Sequence, residues 1–355
     1  MTIAVDCRMI DSSGVGVYLR ECLPWFLKSE NDFLLLGDAA QLLPFASHTH
    51  VKIIACDIKP FSIQELFFFP GRTATQINKA DVYYSPFFNI PYGVKIPVFT
   101  TIHDIVFPDM PHLVSKTGLA ARMWFYRRAF KKSKKMFTVS EFSKSRIQYH
   151  LGTDKPIIVT HSAIRPMFPE YADKNRSTQK KQTIVFVGNI KKHKGLDYLL
   201  DAFLSAKKEG LPHKLVIIGS KEHFRSSDNA ILEKIDSLGT DSVSFTGFVS
   251  DEMLMTHLSQ ASLLVQPSLY EGFGLPPLEA MALGTHALIS DIPVFREIYA
   301  DFPVTFFRAG DADDLKHKLL EMYGKNLGPL VLANELALRY TFKQTAQVIL
   351  RELEA

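Results

Sequence analysis

Two carboxylates in the second half of the chain, Glu271 and Glu279, stand eight positions apart with a glycine-bearing turn between them. An apolar run at residues 261–267 precedes this pair, and two consecutive prolines after the turn are typical of a helix start. The order predicts a buried strand, a loop with one carboxylate, and a helix whose first turn carries the other. Amide groups at a helix start attract phosphate, and carboxylates accept hydrogen bonds from hydroxyls. The stretch therefore suits a phosphorylated, hydroxyl-rich ligand.

A second glycine-bearing turn carries positive charge. Gly188 ends a predicted strand, and the basic segment 189–194 leads to Gly195 at a predicted helix start. Cations in such a loop would stabilise the negative charge that grows on a leaving diphosphate. Lys194, beside the helix start, is the best placed of them. The alternative is a solvated basic loop without a ligand.

Both turns require strands and helices to position them, and the chain alternates short apolar runs with helical stretches. This alternation predicts parallel βαβ units. In the first half the predicted strands are Ile3–Asp6, Phe33–Leu36, Val51–Ile54, Val82–Ser85, Val98–Ile102, Met136–Val139 and Ile157–Thr160, and the predicted helices include Gly16–Lys28, Ile63–Ala80 and Thr117–Lys132. In the second half the predicted elements are Thr183–Val187, Gly195–Lys208, Leu215–Ile218, Ile231–Leu238, Ser242–Thr246, Leu263–Gln266, His286–Ile289, Val304–Phe306 and a last helix, Thr341–Glu354.

The predicted organisation is two α/β domains, because 355 residues exceed the usual size of one core. A polar stretch with almost no apolar periodicity predicts a linker at 169–182. We therefore expect an N-terminal domain at 1–168, a C-terminal domain at 183–340 and a helix at 341–355 that packs back on the first domain. A ligand is expected in the cleft that the two domains face, at the carboxyl ends of the strands.

Composition narrows the class of protein. A content of 46% hydrophobic and 22% charged residues is ordinary for a soluble globular protein. Three widely spaced cysteines favour a reducing compartment, and we find no signal peptide and no long apolar run. These features predict a cytoplasmic protein. A net charge of +4 does not by itself indicate nucleic acid, and a nucleic-acid binder would rest on one basic stretch alone.

That basic stretch, residues 116–146, contains ten lysines and arginines against the single acid Glu141, with Trp124, Phe125, Tyr126 and Phe130 interleaved. If helical, such a segment suits an anionic membrane surface. The alternative is a solvated face on a helix whose other side enters the core. The sequence thus predicts a location that includes the inner face of the cytoplasmic membrane.

Together these features resemble the family 4 retaining glycosyltransferases of the GT-B fold, over essentially the whole chain. The motifs that carry the resemblance, in chain order, are Gly14-Val15-Gly16, Ile102-His103-Asp104, Thr138–Ser143, the loop from Gly188 to Lys194-Gly195, Gly247-Phe248-Val249, and Glu271 and Glu279 with Gly-Phe-Gly between them. The resemblance implies two Rossmann-like α/β domains and transfer of a hexose, with mannose or rhamnose favoured, to an acceptor hydroxyl. It implies retention of anomeric configuration, with the leaving diphosphate accepting the proton.

The resemblance also implies roles for individual residues. Lys194 should neutralise the diphosphate, Glu271 should contact donor-sugar hydroxyls, and His103 should lie near the transferred sugar; these are the predicted catalytic residues. Glu279 should hold the ribose. The implied donor contacts are Gly14, Gly16, Gly188, Asn189, Gly219, Phe248, Val249, Phe273, Gly274, Leu275 and Glu279, with the base near Gly219 and the Phe248–Val249 backbone.

One position departs from the family pattern. The glycine at 188 is often followed by Arg in the family, whereas here it is followed by the neutral Asn189. Lys191, Lys192 and His193 are candidates to replace that charge. The alternative is that this site uses fewer cations on the diphosphate than the family pattern.

The sequence predicts no metal and no cofactor beyond the donor substrate. Asp311-Ala312-Asp313 has the D-x-D form of a metal-binding motif in a different glycosyltransferase fold, but its position before a helical pattern predicts that Asp311 is an N-cap. No His, Cys or carboxylate cluster has metal-ligand spacing. Gly14 and Gly16 begin a dinucleotide fingerprint whose third position is Leu19, which argues against a dehydrogenase.

The predicted donor is a GDP- or dTDP-sugar, with UDP-sugars also open, and the predicted acceptor is a saccharide or lipid-linked saccharide of a surface polysaccharide. Two alternatives remain at this point. One is a sugar-nucleotide epimerase of the same fold, which would need no acceptor. The other is a non-catalytic sugar-nucleotide or membrane-binding module, which would bind the donor without moving the sugar.

Overall fold

The structure, a computed structural model, describes residues 1–152, 154–175, 179–219, 242–325 and 328–355. The chain divides into two compact units. The first contains Met1–Ala163 together with Tyr340–Ala355, and the second contains Ile164–Arg339. Each unit is an α/β structure built on a parallel sheet.

The first unit contains a seven-stranded sheet whose spatial order is β3-β2-β1-β4-β5-β6-β7. Its strands are β1 Thr2–Asp6, β2 Asp32–Gly37, β3 Val51–Ala55, β4 Val82–Ser85, β5 Val98–Thr101, β6 Ser133–Thr138 and β7 Ile157–Val159. In β1, which lies between β2 and β4, Ile3 pairs with Phe33 on one side and Val82 on the other. All seven predicted strands are confirmed, because strands buried on both faces of a sheet read as short apolar runs.

The helices of the first unit before its last segment are α1 Ser13–Phe26, α2 Ala39–Leu42, α3 Ile63–Phe67, α4 Gly71–Ile77, α5 Val106–Asp109, α6 Lys116–Lys132 and α7 Glu141–Leu151. The prediction of one helix at Ile63–Ala80 is wrong. Pro70 lacks an N–H group and disfavours helical geometry at the residue before it. The helix therefore ends at Phe67, and a new one begins directly after the proline.

The basic stretch at 116–146 contains α6, β6 and the first part of α7, so its predicted helical character is confirmed for residues Lys116–Lys132. Ser115 caps α6 by accepting a hydrogen bond from the Gly118 amide at 3.1 Å. Across the described parts of the chain, no helix is both long enough and apolar enough to cross a bilayer.

The second unit contains a six-stranded sheet in the order β10-β9-β8-β11-β12-β13. Its strands are β8 Lys181–Val187, β9 Lys214–Ile218, β10 Val243–Gly247, β11 Ala261–Gln266, β12 His286–Ser290 and β13 Val304–Phe307. Its helices are α8 Met167–Lys174, α9 Leu196–Lys208, α10 Asp251–Gln260, α11 Leu275–Ala282, α12 Pro293–Ile298, α13 Ala312–Gly324 and α14 Asn334–Ala337. The predicted element at Ile231–Leu238 lies outside the described residues. Asp311 caps α13 as predicted, accepting from the Asp314 amide at 2.9 Å.

The boundary between the units differs from the predicted linker at 169–182. The second unit begins at Ile164, so the predicted boundaries of 1–168 and 183–340 shift toward the N-terminus. Most of the predicted linker is occupied by α8 and the start of β8. One fully buried aromatic residue, Phe168, anchors α8, and a single residue gives too little periodicity for the sequence to indicate a helix.

The C-terminal helix, α15 Phe342–Glu354, belongs to the first unit as predicted. Thr341 caps it with a reciprocal bond to Gln344. At its other end, Asn31 donates to Glu354 at 2.7 Å and Lys135 forms an ion pair with Glu352 at 2.7 Å. Its buried residues are Phe342, Thr345, Ala346, Ile349, Leu350 and Leu353.

Candidate functional site

The predicted site residues of the second unit follow β8 and β11, the two neighbouring strands at which the strand order reverses. In parallel α/β sheets, ligands bind outside the carboxyl ends of the strands at such a reversal. The loop from Gly188 to Gly195 follows β8, and Glu271 follows β11. The topology therefore brings the two turns that the sequence singled out to one place.

Gly195 allows the β8 loop to pack closely on the end of β11. It has a left-handed backbone, with φ of 67°, and a Cβ there would lie 2.0 Å from the carbonyl oxygen of Pro267. The carbonyl of His193 accepts a hydrogen bond from the Leu269 amide at 2.8 Å. These contacts fix the main chain on both sides of Lys194.

Lys194 and Glu271 form an ion pair at this position. The Lys194 Nζ donates to both carboxylate oxygens of Glu271, at 2.7 and 2.8 Å. The Lys194 side chain is 21% exposed and that of Glu271 is 9% exposed. The structure therefore pairs two residues that were predicted to contact different parts of the donor, the diphosphate and the sugar. The Lys194 cation remains within reach of solvent.

A buried chain of polar side chains orients Glu271. Ser268 donates to Glu271 Oε1 at 2.8 Å and accepts from the amide of Gln266 at 3.1 Å. The Ser268 carbonyl in turn accepts from Ser290 at 2.5 Å. The Oε1 atom of Gln266 is buried without a hydrogen-bond partner. Sequence reasoning missed Gln266 and Ser268, although both directly continue the apolar run of β11.

His193 does not supply the charge that Asn189 lacks. Burial, and then the neighbouring Lys194, lower the pKa of His193 to about 4. Its imidazole is therefore neutral near pH 7, and Lys191 and Lys192, which are exposed, remain as candidates. Asn189 itself is partly buried in the same loop.

The start of α11 is shaped by Gly274. Its φ of 87° is left-handed, and a Cβ there would lie 2.3 Å from the ring of Phe295. The Tyr299 hydroxyl donates to the Gly274 carbonyl. The two prolines that follow Leu275 have no N–H, so the amide donors of this helix start come from the segment Phe273–Leu275.

Glu279 lies in the second turn of α11, not in its first turn as predicted, because the helix begins at Leu275. It is 5% exposed, and its Oε1 accepts from Arg165 Nε at 3.2 Å. Arg165 also donates to Asp251 at 2.6 Å. Burial disfavours the charge of Arg165, but Glu279 and Asp251 outweigh it, so the pKa of this arginine is raised. Nothing in the sequence signals this pairing across 114 positions.

The predicted base region lies at the ends of β8, β9 and β10. The Gly188 amide donates to the Ile218 carbonyl at 2.9 Å, and the Gly219 amide donates to Gly247 at 3.1 Å. A Cβ at Gly219 would lie 2.0 Å from the Gly188 carbonyl oxygen. Next to these glycines, the Phe248 side chain is 88% exposed and Val249 is partly exposed. The structure thus places Gly188, Gly219, Phe248 and Val249 along adjacent strand ends.

In the first unit, His103 follows β5 and is largely buried. Its Nε2 donates to the Pro86 carbonyl at 2.8 Å, and its ring meets that of Tyr18 edge-on at 4.9 Å. Burial, opposed by this hydrogen bond, lowers the pKa of His103 to about 4. The imidazole is neutral near pH 7 with its proton on Nε2, so Nδ1 is a hydrogen-bond acceptor.

Gly14 and Gly16 lie in the first turn of α1, because the helix begins at Ser13, three residues before its predicted start at Gly16. A Cβ at Gly16 would lie 2.3 Å from the Ile10 carbonyl oxygen, whereas a Cβ at Gly14 would meet nothing within 4 Å. Gly16 is therefore needed for packing of the loop before α1. Gly14 borders open space.

Among the described residues, no group of three or more His, Cys, Asp or Glu side chains could hold a metal ion. The described site is instead built from backbone amides, one cation and carboxylates. Such a set matches a phosphate with nearby hydroxyls.

The overall architecture matches solved structures over essentially the whole chain. A structure of Anabaena HepE in complex with UDP and glucose has a TM-score of 0.74 and 16% identity, over 100% of this chain and 99% of that one. Sucrose-phosphate synthase from Thermosynechococcus elongatus has a TM-score of 0.67 and 15% identity, over 99% of this chain and 94% of that one. These matches define the class: the protein has the GT-B fold of glycosyltransferases.

The sequence comparison matches part of the chain to a family. Residues 167–329, which lie in the second unit, match the family model described as glycosyl transferases group 1. O-antigen chain mannosyltransferase B of Escherichia coli is 26% identical over 65% of this chain and 63% of its own length. O-antigen chain mannosyltransferase RfbU of Salmonella typhimurium is 29% identical over 56% of this chain and 53% of its own. The chain thus spans between half and two thirds of these curated relatives.

Proposed function

We propose that this protein transfers a hexose from a nucleoside diphosphate sugar to an acceptor hydroxyl. The observation that carries the proposal is the Lys194–Glu271 ion pair at the strand-order reversal of the second unit. A partly exposed cation beside a carboxylate can bind both halves of a sugar diphosphate. The match of residues 167–329 to the family model of glycosyl transferases group 1 supports the same reaction.

In this proposal the donor replaces part of the Lys194–Glu271 pair. The diphosphate takes hydrogen bonds from Lys194 Nζ and from the backbone of Phe273–Leu275, and the Glu271 carboxylate accepts from hydroxyls of the sugar. Charge on the diphosphate grows as the glycosidic bond breaks, so Lys194 stabilises the transition state more than the ground state. Glu279, fixed by Arg165, accepts from the ribose hydroxyls.

The proposed reaction retains the anomeric configuration. The bond from the anomeric carbon to the diphosphate oxygen breaks, and the acceptor oxygen forms a bond to that carbon on the same face. The acceptor proton passes to the leaving diphosphate, so the products are a nucleoside diphosphate and a glycoside. No carboxylate of the protein is a nucleophile, and no metal is required. His103 accepts a hydrogen bond from the transferred sugar at Nδ1.

We propose mannose as the sugar and a saccharide as the acceptor. The names of the two O-antigen mannosyltransferases support both assignments, since they are relatives with 26% and 29% identity. A GDP- or dTDP-sugar is the proposed donor; the UDP in the HepE structure keeps UDP-sugars in the test. We further propose that the basic stretch at 116–146 contacts an anionic membrane surface that carries a lipid-linked acceptor.

A transfer assay with GDP-mannose, dTDP-rhamnose and UDP-glucose tests the proposal. We expect one donor to release nucleoside diphosphate much faster with a saccharide acceptor than without it, together with a glycoside product. Conversion of the donor to an isomer without acceptor would identify an epimerase instead. Donor binding without any product under every acceptor condition would indicate a non-catalytic binding module.

A further inference from the structure

The short helix α3 of the first unit has its polar and apolar side chains in the reverse of the usual arrangement. Its buried residue is a glutamate, Glu65, which is 0% exposed. Two of its three apolar residues, Ile63 and Phe67, are 72% and 60% exposed, the third, Leu66, is half-buried, and the following Phe68 is 72% exposed. A surface helix normally buries its apolar face, so this arrangement requires a cause and a use.

The cause is a network of hydrogen bonds that holds Glu65 inward. Its Oε1 accepts from Arg8 at 2.5 Å and from Asn89 at 3.1 Å, and its Oε2 accepts from the Phe61 amide at 2.5 Å. Arg8 is also paired with Asp6 at 2.6 Å. Because rotation of α3 would break these buried charged contacts, the outward position of its apolar side chains is fixed. The exposed apolar residues are thus part of the folded state.

The segment that leads into α3 contacts α6. The ring of Phe61, just before α3, meets the ring of Phe125 at 4.9 Å, and Phe125 in turn meets Trp124 at 5.1 Å. The Tyr92 amide donates to the Glu65 carbonyl at 2.9 Å. We define the α3–α6 surface by its exposed apolar members, which are Ile63, Phe67, Phe68, Tyr92 and Trp124.

Cations lie on the same outward face of α6 as Trp124. Lys116, Arg127 and Lys131 are exposed and lie eight positions before, three after and seven after Trp124, which are spacings of one helical face. The sequence has no acidic residue between Asp109 and Glu141. The α3–α6 surface therefore combines fixed apolar side chains with an unbroken border of positive charge.

We propose that the α3–α6 surface docks on a lipid bilayer with anionic headgroups. Ile63, Phe67 and Phe68 enter the boundary between headgroups and acyl chains, and the α6 cations bind headgroup phosphates. Tyr92 and Trp124 have the amphipathic rings that favour this depth. The positive charge of α6 favours an anionic bilayer over an apolar protein surface, because the apolar surface would leave these three cations without compensating charge. The proposal rests on the membrane contact proposed above for residues 116–146 and names the side chains that make it. It concerns binding by the first unit alone, so its failure would leave the proposed sugar transfer untouched.

Vesicle flotation tests the proposal with the full chain. We expect binding to phosphatidylcholine vesicles that contain phosphatidylglycerol, and weaker binding to phosphatidylcholine alone or at high salt. The double variant Phe67→Ser, Phe68→Ser should lower the partition coefficient at least about tenfold. The double variant Arg127→Gln, Lys131→Gln should remove most of the preference for anionic vesicles.

Matched controls separate the surface from general effects. Leu43→Ser with Leu338→Ser removes two apolar side chains that are 68% and 66% exposed elsewhere, and Lys52→Gln with Lys208→Gln removes the same charge as the α6 variant. Both controls should bind like the wild type, and all four variants should keep their circular dichroism. Equal binding by the phenylalanine variant and the wild type would overturn the proposal. The proposal would also be overturned if the wild type were a dimer and the phenylalanine variant were a monomer that binds vesicles equally well.

Discussion

Lys194 is held by Glu271 in the described site, so the cation is positioned before any donor arrives. A flexible lysine would lose side-chain freedom on binding phosphate. Here the bidentate contact at 2.7 and 2.8 Å has already restricted it. Glu271 is itself oriented by Ser268. In the proposed reaction, the diphosphate would bind Lys194 and the sugar would bind Glu271, so both partners of the pair are positioned before the donor binds.

Lys194→Ala should remove roughly 2–4 kcal/mol of transition-state stabilisation. Turnover should therefore fall about 30- to 1,000-fold. The measurement is the transfer rate at saturating donor. Lys208→Ala, which removes an exposed cation at the opposite end of α9 from this loop, is the control and should retain nearly full turnover. Normal transfer by Lys194→Ala would remove this residue from the mechanism.

The largely buried His103 predicts a dependence of stability on pH. Its pKa is about 4 in the folded protein and about 6.5 when unfolded, so between these values the unfolded chain binds more protons. Its contribution to stability is complete above about pH 6.5 and falls as the pH approaches 4. The free energy of urea unfolding should therefore drop less between about pH 7 and pH 5 in His103→Gln than in the wild type. An equal drop in both proteins would contradict the assignment.

At the scale of elements, the first turn of α1 separates a packing glycine from an open one. Gly16→Ala should destabilise the fold, because its Cβ would overlap the Ile10 carbonyl oxygen. Gly14→Ala should leave the melting temperature unchanged or raise it. The gain in the free energy of unfolding should be up to about 1 kcal/mol, since alanine favours helices. If Gly14 contacts the donor, as the family resemblance implies, the same variant should raise the KM for donor or acceptor. Unchanged kinetics in this stable variant would exclude Gly14 from the site.

The contact between Arg165 and α11 predicts a positioning role. Arg165→Met should remove the Arg165 hydrogen bond from the buried Glu279 and raise the KM for the donor more than it lowers kcat, because ribose binding is weakened in both ground and transition states. Arg165→Lys should restore part of the affinity. A decrease in kcat with no change in KM, or no rescue by lysine, would show that Arg165 acts only on the fold.

The sequence predicts α11 better than it predicts the surroundings of α11. The glycine turn and the prolines locate its start within a residue, since their backbone preferences are local. The prediction nevertheless placed Glu279 one helical turn too early. The hydrogen bond from Arg165 to Glu279 joins residues 114 positions apart. Contacts of that separation depend on the tertiary fold, and one sequence contains no signal for them.

At the scale of the whole molecule, the strands of both sheets were predictable because parallel strands buried on both faces are nearly continuous apolar runs. The return of α15 to the first unit was also confirmed. Two features were not predictable from periodicity. Phe168 is the buried side chain that anchors α8, where Tyr171 also bonds to Thr256, and Glu65 holds α3 with Ile63 and Phe67 outward. In both cases the position of the helix depends on a buried side chain that the apolar pattern of its neighbours does not indicate.

The central claim is that the second unit binds a nucleoside diphosphate through Glu279. The most direct test is a thermal-shift titration of the wild type, Glu279→Ala and the exposed control Glu335→Ala with GDP, dTDP and UDP. Ligand that binds only the folded state stabilises it by RT ln(1 + [L]/Kd), or about 2.7 kcal/mol at a hundredfold excess over Kd. We predict that one nucleotide raises the melting temperature of the wild type and of Glu335→Ala, and that Glu279→Ala responds much less. The claim is contradicted if no nucleotide stabilises the wild type, or if Glu279→Ala responds as the wild type does.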